Sequence, residues 1–325
     1  MNQSFKNRLK KYSLLNFIYR WLREYYEALI SPLQKRLLTL FYYRYDRLIL
    51  KSRPVACHQE SELEIHLVTC KRDANNALWC LKTFFYYSGI KTRLFIHDDG
   101  TLNEDLRRMF QRHFVNCDII NKEDADEEMK KQLKGYELCS KYRIDHCSPF
   151  AMKLLDCIFY SKTKKVLLLD SDMLFFKEPT EVLNNVRWNN CFFMIDYQNA
   201  YSFSVDFLGA LFKENIIEQL NTGLLYLSSA KMYNLDIIES FLRVWFDHNC
   251  PMPGLEEQTA YAVLFSKYPK EVTRLSAHYQ ISDQPISGET ISHHFVDDGY
   301  RNRFYKYGVT YLLKSGFIKK INAVP

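Results

Sequence analysis

Lys164-Lys165-Val166-Leu167-Leu168-Leu169-Asp170-Ser171-Asp172-Met173-Leu174-Phe175-Phe176 is the stretch on which the reading of this chain turns. Four consecutive apolar residues are too few for a helix and suit a short strand buried on both faces. They run straight into two carboxylates one residue apart. In open α/β folds ligands gather at the carboxyl ends of the parallel strands, and paired carboxylates there are hard oxygen ligands for a divalent cation. Alternate residues of an extended chain point the same way, and a turn at the strand end lets Asp170 and Asp172 converge. Such an ion neutralises a departing diphosphate as a Lewis acid. Asp-x-Asp alone also occurs as surface decoration, but an apolar run on each side makes that reading poor here.

Working outward, 65–69 reads as a strand, 75–88 as a helix closed by Gly89, and 93–97 as a second strand. Asp98-Asp99-Gly100 makes a turn, 103–113 a helix, 117–120 a short strand and 122–134 a charged, solvated helix. Ser148-Pro149 offers a cap and a first-turn proline to a helix with Phe150, Leu154, Leu155, Ile158 and Phe159 on its buried side. Beyond the acidic pair, 191–195 and 223–227 read as buried strands, 231–248 and 256–268 as helices, and 291–295 as the last strand. The alternation predicts an α/β fold, a mainly parallel sheet flanked by helices. There is no internal repeat and no Gly-rich phosphate loop, which excludes P-loop and dinucleotide-binding fingerprints.

The chain has 325 residues, is 47% apolar and carries a formal charge of +6, very unevenly spread. Residues 1–55 hold twelve Lys/Arg against three acids, 12 − 3 = +9, so the remainder is 6 − 9 = −3. A slightly acidic body does not suit nucleic acid, and no nucleic-acid partner is expected. We therefore divide the chain into a basic helical arm, 1–55, and a catalytic domain, 56–325. In the arm Tyr12, Leu15, Tyr19, Leu22, Tyr26, Leu29 and Leu33 recur at alternating steps of three and four, one stripe along a helix broken near Ser31-Pro32. A basic amphipathic helix with Tyr and Trp at its boundary suits peripheral contact with an anionic membrane; packing on the body or on a second copy would use the same stripe. No run approaches the roughly 18 uncharged apolar residues of a membrane span, and no secretory signal opens the chain. Nine cysteines without CxxC spacing, mostly inside apolar segments, read as free thiols in a reducing compartment. A cytoplasmic protein at the cytoplasmic membrane face is the expectation.

The 164–174 segment resembles the metal-binding segment of GT-A fold glycosyltransferases, nearest to the family 8, glycogenin-like group. Lys153-Leu154, 170 − 153 = 17 residues before the first aspartate, is similar to that family's Arg-Leu pair, with the bidentate geometry of Arg lost. Asn221-Thr222-Gly223-Leu224-Leu225-Tyr226-Leu227 resembles its Asn-Ser/Ala-Gly strand, and Glu256-Glu257-Gln258-Thr259 its acidic-Gln segment. Ser292-His293-His294-Phe295 looks like its C-terminal element, whose imidazole completes the metal site. We favour His294 over His293. The family's Lys-Pro-Trp is absent, and Arg301, Arg303 or Lys306 would take its diphosphate contact, so a divergent or neighbouring family with this fold is also compatible.

The resemblance implies a Rossmann-like GT-A domain that transfers a sugar from a nucleotide-diphosphate donor, a UDP-sugar, to a glycan or lipid-linked acceptor. It implies retention of configuration, with Glu257, Gln258 and Asn221 near the reacting carbon. An inverting enzyme would instead use Glu257 or Glu256 as general base. Asp170, Asp172 and His294 would hold Mn²⁺ or Mg²⁺, and an imidazole beside two carboxylates suits Mn²⁺ at least as well. Thr69, Arg72 and Asp73 follow the first strand, where GT-A domains hold base and ribose. Asp98 and Asp99 resemble the Asp-Asp-Gly turn of family 2, and Lys153, Asp170, Ser171 and Gly223 complete the implied donor contacts.

Two other classes compete. A haloacid-dehalogenase-type phosphatase also ends a strand in Asp-x-Asp, which would make Asp170 the nucleophile, and 97–102 mimics its Asp-x-Asp-Gly-Thr-Leu with His97 in the nucleophile's place. The phosphatase motif ordinarily opens its domain, whereas Asp170 follows at least two strand-helix units. A non-catalytic membrane adaptor is the third reading, motivated by the arm.

Overall fold

The computed structural model describes residues 42, 44–146, 148–228, 232–248, 254–281, 284–296 and 303–323. The arm stripe from Tyr12 to Leu33, and with it the expected membrane-binding helix, lies outside them. In chain order the strands are β1 (Val55–Ala56), β2 (Glu64–Thr69), β3 (Arg93–Asp98), β4 (Phe114–Val115), β5 (Asp118–Ile120), β6 (Val166–Leu169) and β7 (Met173–Phe175). There follow β8 (Cys191–Ile195), β9 (Leu220–Leu227), β10 (Val272–Arg274), β11 (Tyr279–Ile281) and β12 (Ser292–His294).

The central sheet has the order β10-β8-β9-β6-β2-β3-β5. β6 is buried along its whole length. Leu167 and Leu169 enter one hydrophobic core, with the Ala74–Ser88 helix, while Val166 and Leu168 enter the other, with Leu154, Leu155 and Tyr261. Burying each such side chain stabilises the fold by roughly 1.5–3 kcal/mol, so this tetrad holds the middle of the sheet in register. The Ala74–Ser88 helix stops at Gly89, whose φ of 63° gives the left-handed cap that glycine adopts without strain. Ser148 caps the next key helix by accepting from the Ala151 N–H, with Pro149 in its first turn. That helix passes through a π turn at Met152–Asp156.

Most pairings are parallel, as the alternation predicts, but β9 runs antiparallel to both β6 and β8. This reversal positions the site. With Leu169 paired to Leu224 and Ile195 to Leu220, the beginning of β9 lies beside the ends of β6 and β8. Asp170, Asn221, Gly223 and Asp196 therefore meet at one sheet edge.

Other details depart from the sequence reading. Residues 173–175 form a strand of their own, in a second sheet of order β11-β12-β7. The last strand is shortened to Ser292–His294, and Phe150 is exposed instead of core-facing. The Glu256–Ser266 helix is buried along its entire length, including a polar first turn. Helical segments at Phe304–Val309, Thr310–Lys314 and Phe317–Ala323, which no sequence pattern announced, close the chain. The described end of the arm, helical over 44–49, rests against them: Tyr42 stacks on Tyr305 at 4.7 Å, and Tyr305 Oη donates to Asp46 at 2.7 Å. No helix among the described residues is long and apolar enough to cross a membrane. None of the seven described cysteines is bridged.

Candidate active site

β6 delivers Asp170 and, after a tight turn, Asp172, while β12 pairs antiparallel with β7 so that His294 stands opposite Met173. His294 Nε2 lies 3.1 Å from Asp172 Oδ1 and 3.5 Å from Asp170 Oδ2. These three side chains offer ligand atoms within 4.8 Å of one another. Both carboxylates are about one-third exposed, so an ion could reach them. The other imidazole nitrogen, Nδ1, donates to Asn221 Oδ1 at 2.9 Å. Asn221 is orientated in turn, because its oxygen also accepts from the Gly223 N–H and its Nδ2 donates to Asp196 and Gln258. Nε2 is therefore the nitrogen turned towards the aspartates, and on giving up its proton it presents the lone pair a metal ligand needs. Burial opposes protonating His294, yet the neighbouring Asp172 and Asp170 outweigh it and raise its pKa. A bound cation would stand where that proton is held.

His293, one residue earlier, faces elsewhere: it stacks on Phe295 at 4.2 Å and Nε2 meets the Gln284 carbonyl at 3.0 Å. Burial pushes it down to about 4. Gly223 gives His294 its room, since a Cβ there would sit inside the imidazole's van der Waals shell.

Lys153 enters from the π turn. Its Nζ is 2.7 Å from Asp170 Oδ1 and 3.6 Å from Glu257 Oε1, almost without solvent contact. Burial would lower its pKa, but the two carboxylates prevail and raise it. Glu257 accepts from Thr222 Oγ1 at 2.8 Å, and burial, only partly offset by Lys153, pushes its carboxyl up to about 7. Gln258 donates from Nε2 to the Ala200 carbonyl at 2.9 Å. Glu257 and Gln258 thus approach the Asp170, Asp172 and His294 cluster through Lys153 and Asn221, from the first turn of a buried helix.

Glu256 is used up elsewhere, accepting from Tyr142 Oη at 3.0 Å and from the Gly254 N–H at 2.6 Å. Asp98 is likewise engaged: it is fully buried, caps the Gly100 and Leu102 N–H groups and pairs with Arg107 Nη2 at 2.7 Å. Asp99 binds the Thr101 hydroxyl at 2.6 Å. Thr69 keeps a buried hydroxyl with no hydrogen-bond partner among the described residues, while exposed Arg72 pairs with Asp73 at 2.9 Å. Arg72 lies near enough to Asp172 for that carboxylate to add to the dominant effect of Asp73 in raising its pKa. Ser171 is half-buried at the turn.

Of the basic residues considered for the diphosphate, Arg301 lies outside the described residues, Arg303 donates to the Val296 carbonyl at 2.9 Å, and Lys306 stands over the Tyr307 ring at 5.2 Å. Neither of the last two contacts the cluster. His97 is a core residue, hydrogen-bonded to His66 at 2.9 Å, so the position that the phosphatase motif gives its nucleophile is a buried imidazole. Asp196 is a member that the sequence did not announce. This buried carboxylate accepts from Asn221 Nδ2 at 3.1 Å and from the Tyr197 N–H at 2.7 Å.

No family model and no curated protein matches the sequence. Solved structures do match the fold. Mouse xyloside xylosyltransferase 1, in its apo form, is 12% identical with a TM-score of 0.51, covering 75% of this chain and 99% of its own. The galactosyltransferase LgtC, solved with donor and acceptor sugar analogues, is 13% identical with a TM-score of 0.51, covering 81% and 98%. The chain has the mixed α/β, GT-A type fold of these structures.

Proposed function

We propose that the protein is a metal-dependent glycosyltransferase of the family 8 type or a close neighbour, transferring a sugar from a nucleotide-diphosphate donor, a UDP-sugar, to a glycan or lipid-linked acceptor with retention. The observation that carries this reading is the convergence of Asp170, Asp172 and His294, whose Nε2 is turned to the two carboxylates, at the carboxyl edge of a GT-A sheet. Two oxygens and one nitrogen suit Mn²⁺ or Mg²⁺, and the ion would supply charge to the leaving diphosphate.

The chain's own groups account for the rest. Lys153 neutralises Asp170 and Glu257 and keeps that wall compact. Asn221 holds the imidazole and ties Asp196 and Gln258 to it, so the face opposite the metal ligands is rigid before a donor arrives. Glu257, poised near neutrality, can hold or release a proton beside the reacting carbon. Thr69, Arg72 and Asp73 border the edge where the nucleoside would lie, with Asp99 beside them. Asp98 serves the reading only by shaping that turn. LgtC was solved with donor and acceptor sugar analogues on this fold, which supports a sugar-transfer reading.

Membrane contact through 1–55, at the cytoplasmic face, belongs to the same proposal. It would bring a soluble donor to an acceptor carried at the bilayer surface.

The test is a screen of nucleotide sugars for hydrolysis and transfer, with Mn²⁺ present or chelated. Metal-dependent turnover of one donor is expected. Turnover unchanged by chelation, or phosphate release from phosphomonoesters through an acyl-phosphate, would reject the reading.

A further inference from the structure

The final helices carry charge of one sign only. Residues 303–323 contain Arg303, Lys306, Lys314, Lys319 and Lys320 and no acid at all. Lys306, Lys314, Lys319 and Lys320 are exposed, and no carboxylate among the described residues pairs with any of them. Tyr307 and Tyr311 stand out on the same helix, four residues apart, 51% and 36% exposed, with Lys314 three residues further. Phe304, Tyr305, Val309 and Leu312 hold the opposite side in the core.

The described end of the arm is fastened to these helices. Tyr42 stacks on Tyr305, Tyr305 binds Asp46, and the Arg53 N–H donates to Asn322 Oδ1 at 2.9 Å. The arm's end adds exposed Leu48, Leu50 and Lys51, while its one acid, Asp46, is buried. Cationic lysines interspersed with tyrosines and leucines match an anionic lipid surface, where ammonium groups meet headgroups and aromatic rings sit at the interface.

We propose that the C-terminal helices and the described end of the arm form one basic, aromatic face that seats on an anionic bilayer. This extends the proposed membrane contact beyond the arm and does not depend on the sugar chemistry. Four lysines brought to the headgroup layer strengthen attachment and fix which side of the protein meets the membrane.

Sedimentation of the full chain with phosphatidylcholine vesicles, with and without 30% phosphatidylglycerol, tests it. We compare the parent with Lys314→Gln/Lys319→Gln/Lys320→Gln and with Lys6→Gln/Lys10→Gln/Lys11→Gln in the arm. The expected result is binding to anionic vesicles only, reversed by 0.5 M salt, and weakened at least about tenfold by the C-terminal set with the arm intact. Circular dichroism and donor hydrolysis should be unchanged. Equal binding by the C-terminal variant, or equal binding of the parent to neutral vesicles, overturns the proposal. If a folded parent hydrolyses no donor yet binds as expected, the sugar-transfer reading fails and the face stands.

Discussion

His294 Nδ1 lies 2.9 Å from Asn221 Oδ1, and that contact decides which imidazole nitrogen faces Asp170 and Asp172. A ligand held in the wrong tautomer would present a proton to the ion instead of a lone pair. Asn221→Ala should therefore weaken Mn²⁺ binding about 10–100-fold without removing any ligand atom. Calorimetric titration of Mn²⁺ measures this directly, and unaltered affinity would show that Asn221 does not orient the imidazole.

Asp172 contributes a side chain that is one-third exposed, while its backbone carbonyl accepts from the Phe295 N–H. Asp172→Asn leaves that backbone contact in place. We expect metal-dependent transfer to fall about a thousandfold, several kcal/mol of lost charge stabilisation, with an unchanged circular dichroism spectrum.

Gly223 is the only residue that fits under the His294 ring. Gly223→Ala should push the imidazole away from the aspartates, lowering Mn²⁺ affinity and costing about 1–3 kcal/mol of stability. Thermal unfolding with and without Mn²⁺ separates the two effects, since a protein that no longer binds gains no stabilisation from the ion.

Glu257 gives a pH dependence of definite sign. Its folded pKa, about 7, lies above the unfolded value of 4.5, so between these the folded state holds a proton that the unfolded state has released. Stability from this group is therefore full at acid pH, declines as pH rises from 4.5 to 7, and levels off above. The total is about 3 kcal/mol. Urea unfolding in chelator across that range should show a decline that Glu257→Gln abolishes; an identical slope in the variant would exclude Glu257 as its source.

The sheet and the meeting of Asp170, Asp172 and His294 were legible for one reason: Val166–Leu169 is too apolar to be exposed, so the aspartates that follow must sit at the sheet edge. The direction of β9 was not legible, because a short apolar run carries no sign. Asp196 was overlooked as a single acid after a strand; its importance arises only when β8 and β9 lie antiparallel. Asp98 looked like a ligand from its turn, but Arg107, nine residues on, returns along the next helix to pair with it. β7, β10 and β11, at three residues each, fall below any periodicity window. The C-terminal helices escaped because the π turn at Phe304–Val309 breaks the 3.6-residue spacing.

The pairing of β12 with β7 has a further consequence. In an extended strand neighbouring side chains take opposite faces, so the choice between two adjacent histidines is a question of odd or even position, and the backbone ladder answers it. Sliding β12 by a single residue would turn His294 away and offer His293 to the aspartates. One inserted or deleted residue in the loop before Ser292 is thus enough to exchange the two imidazoles without changing either one.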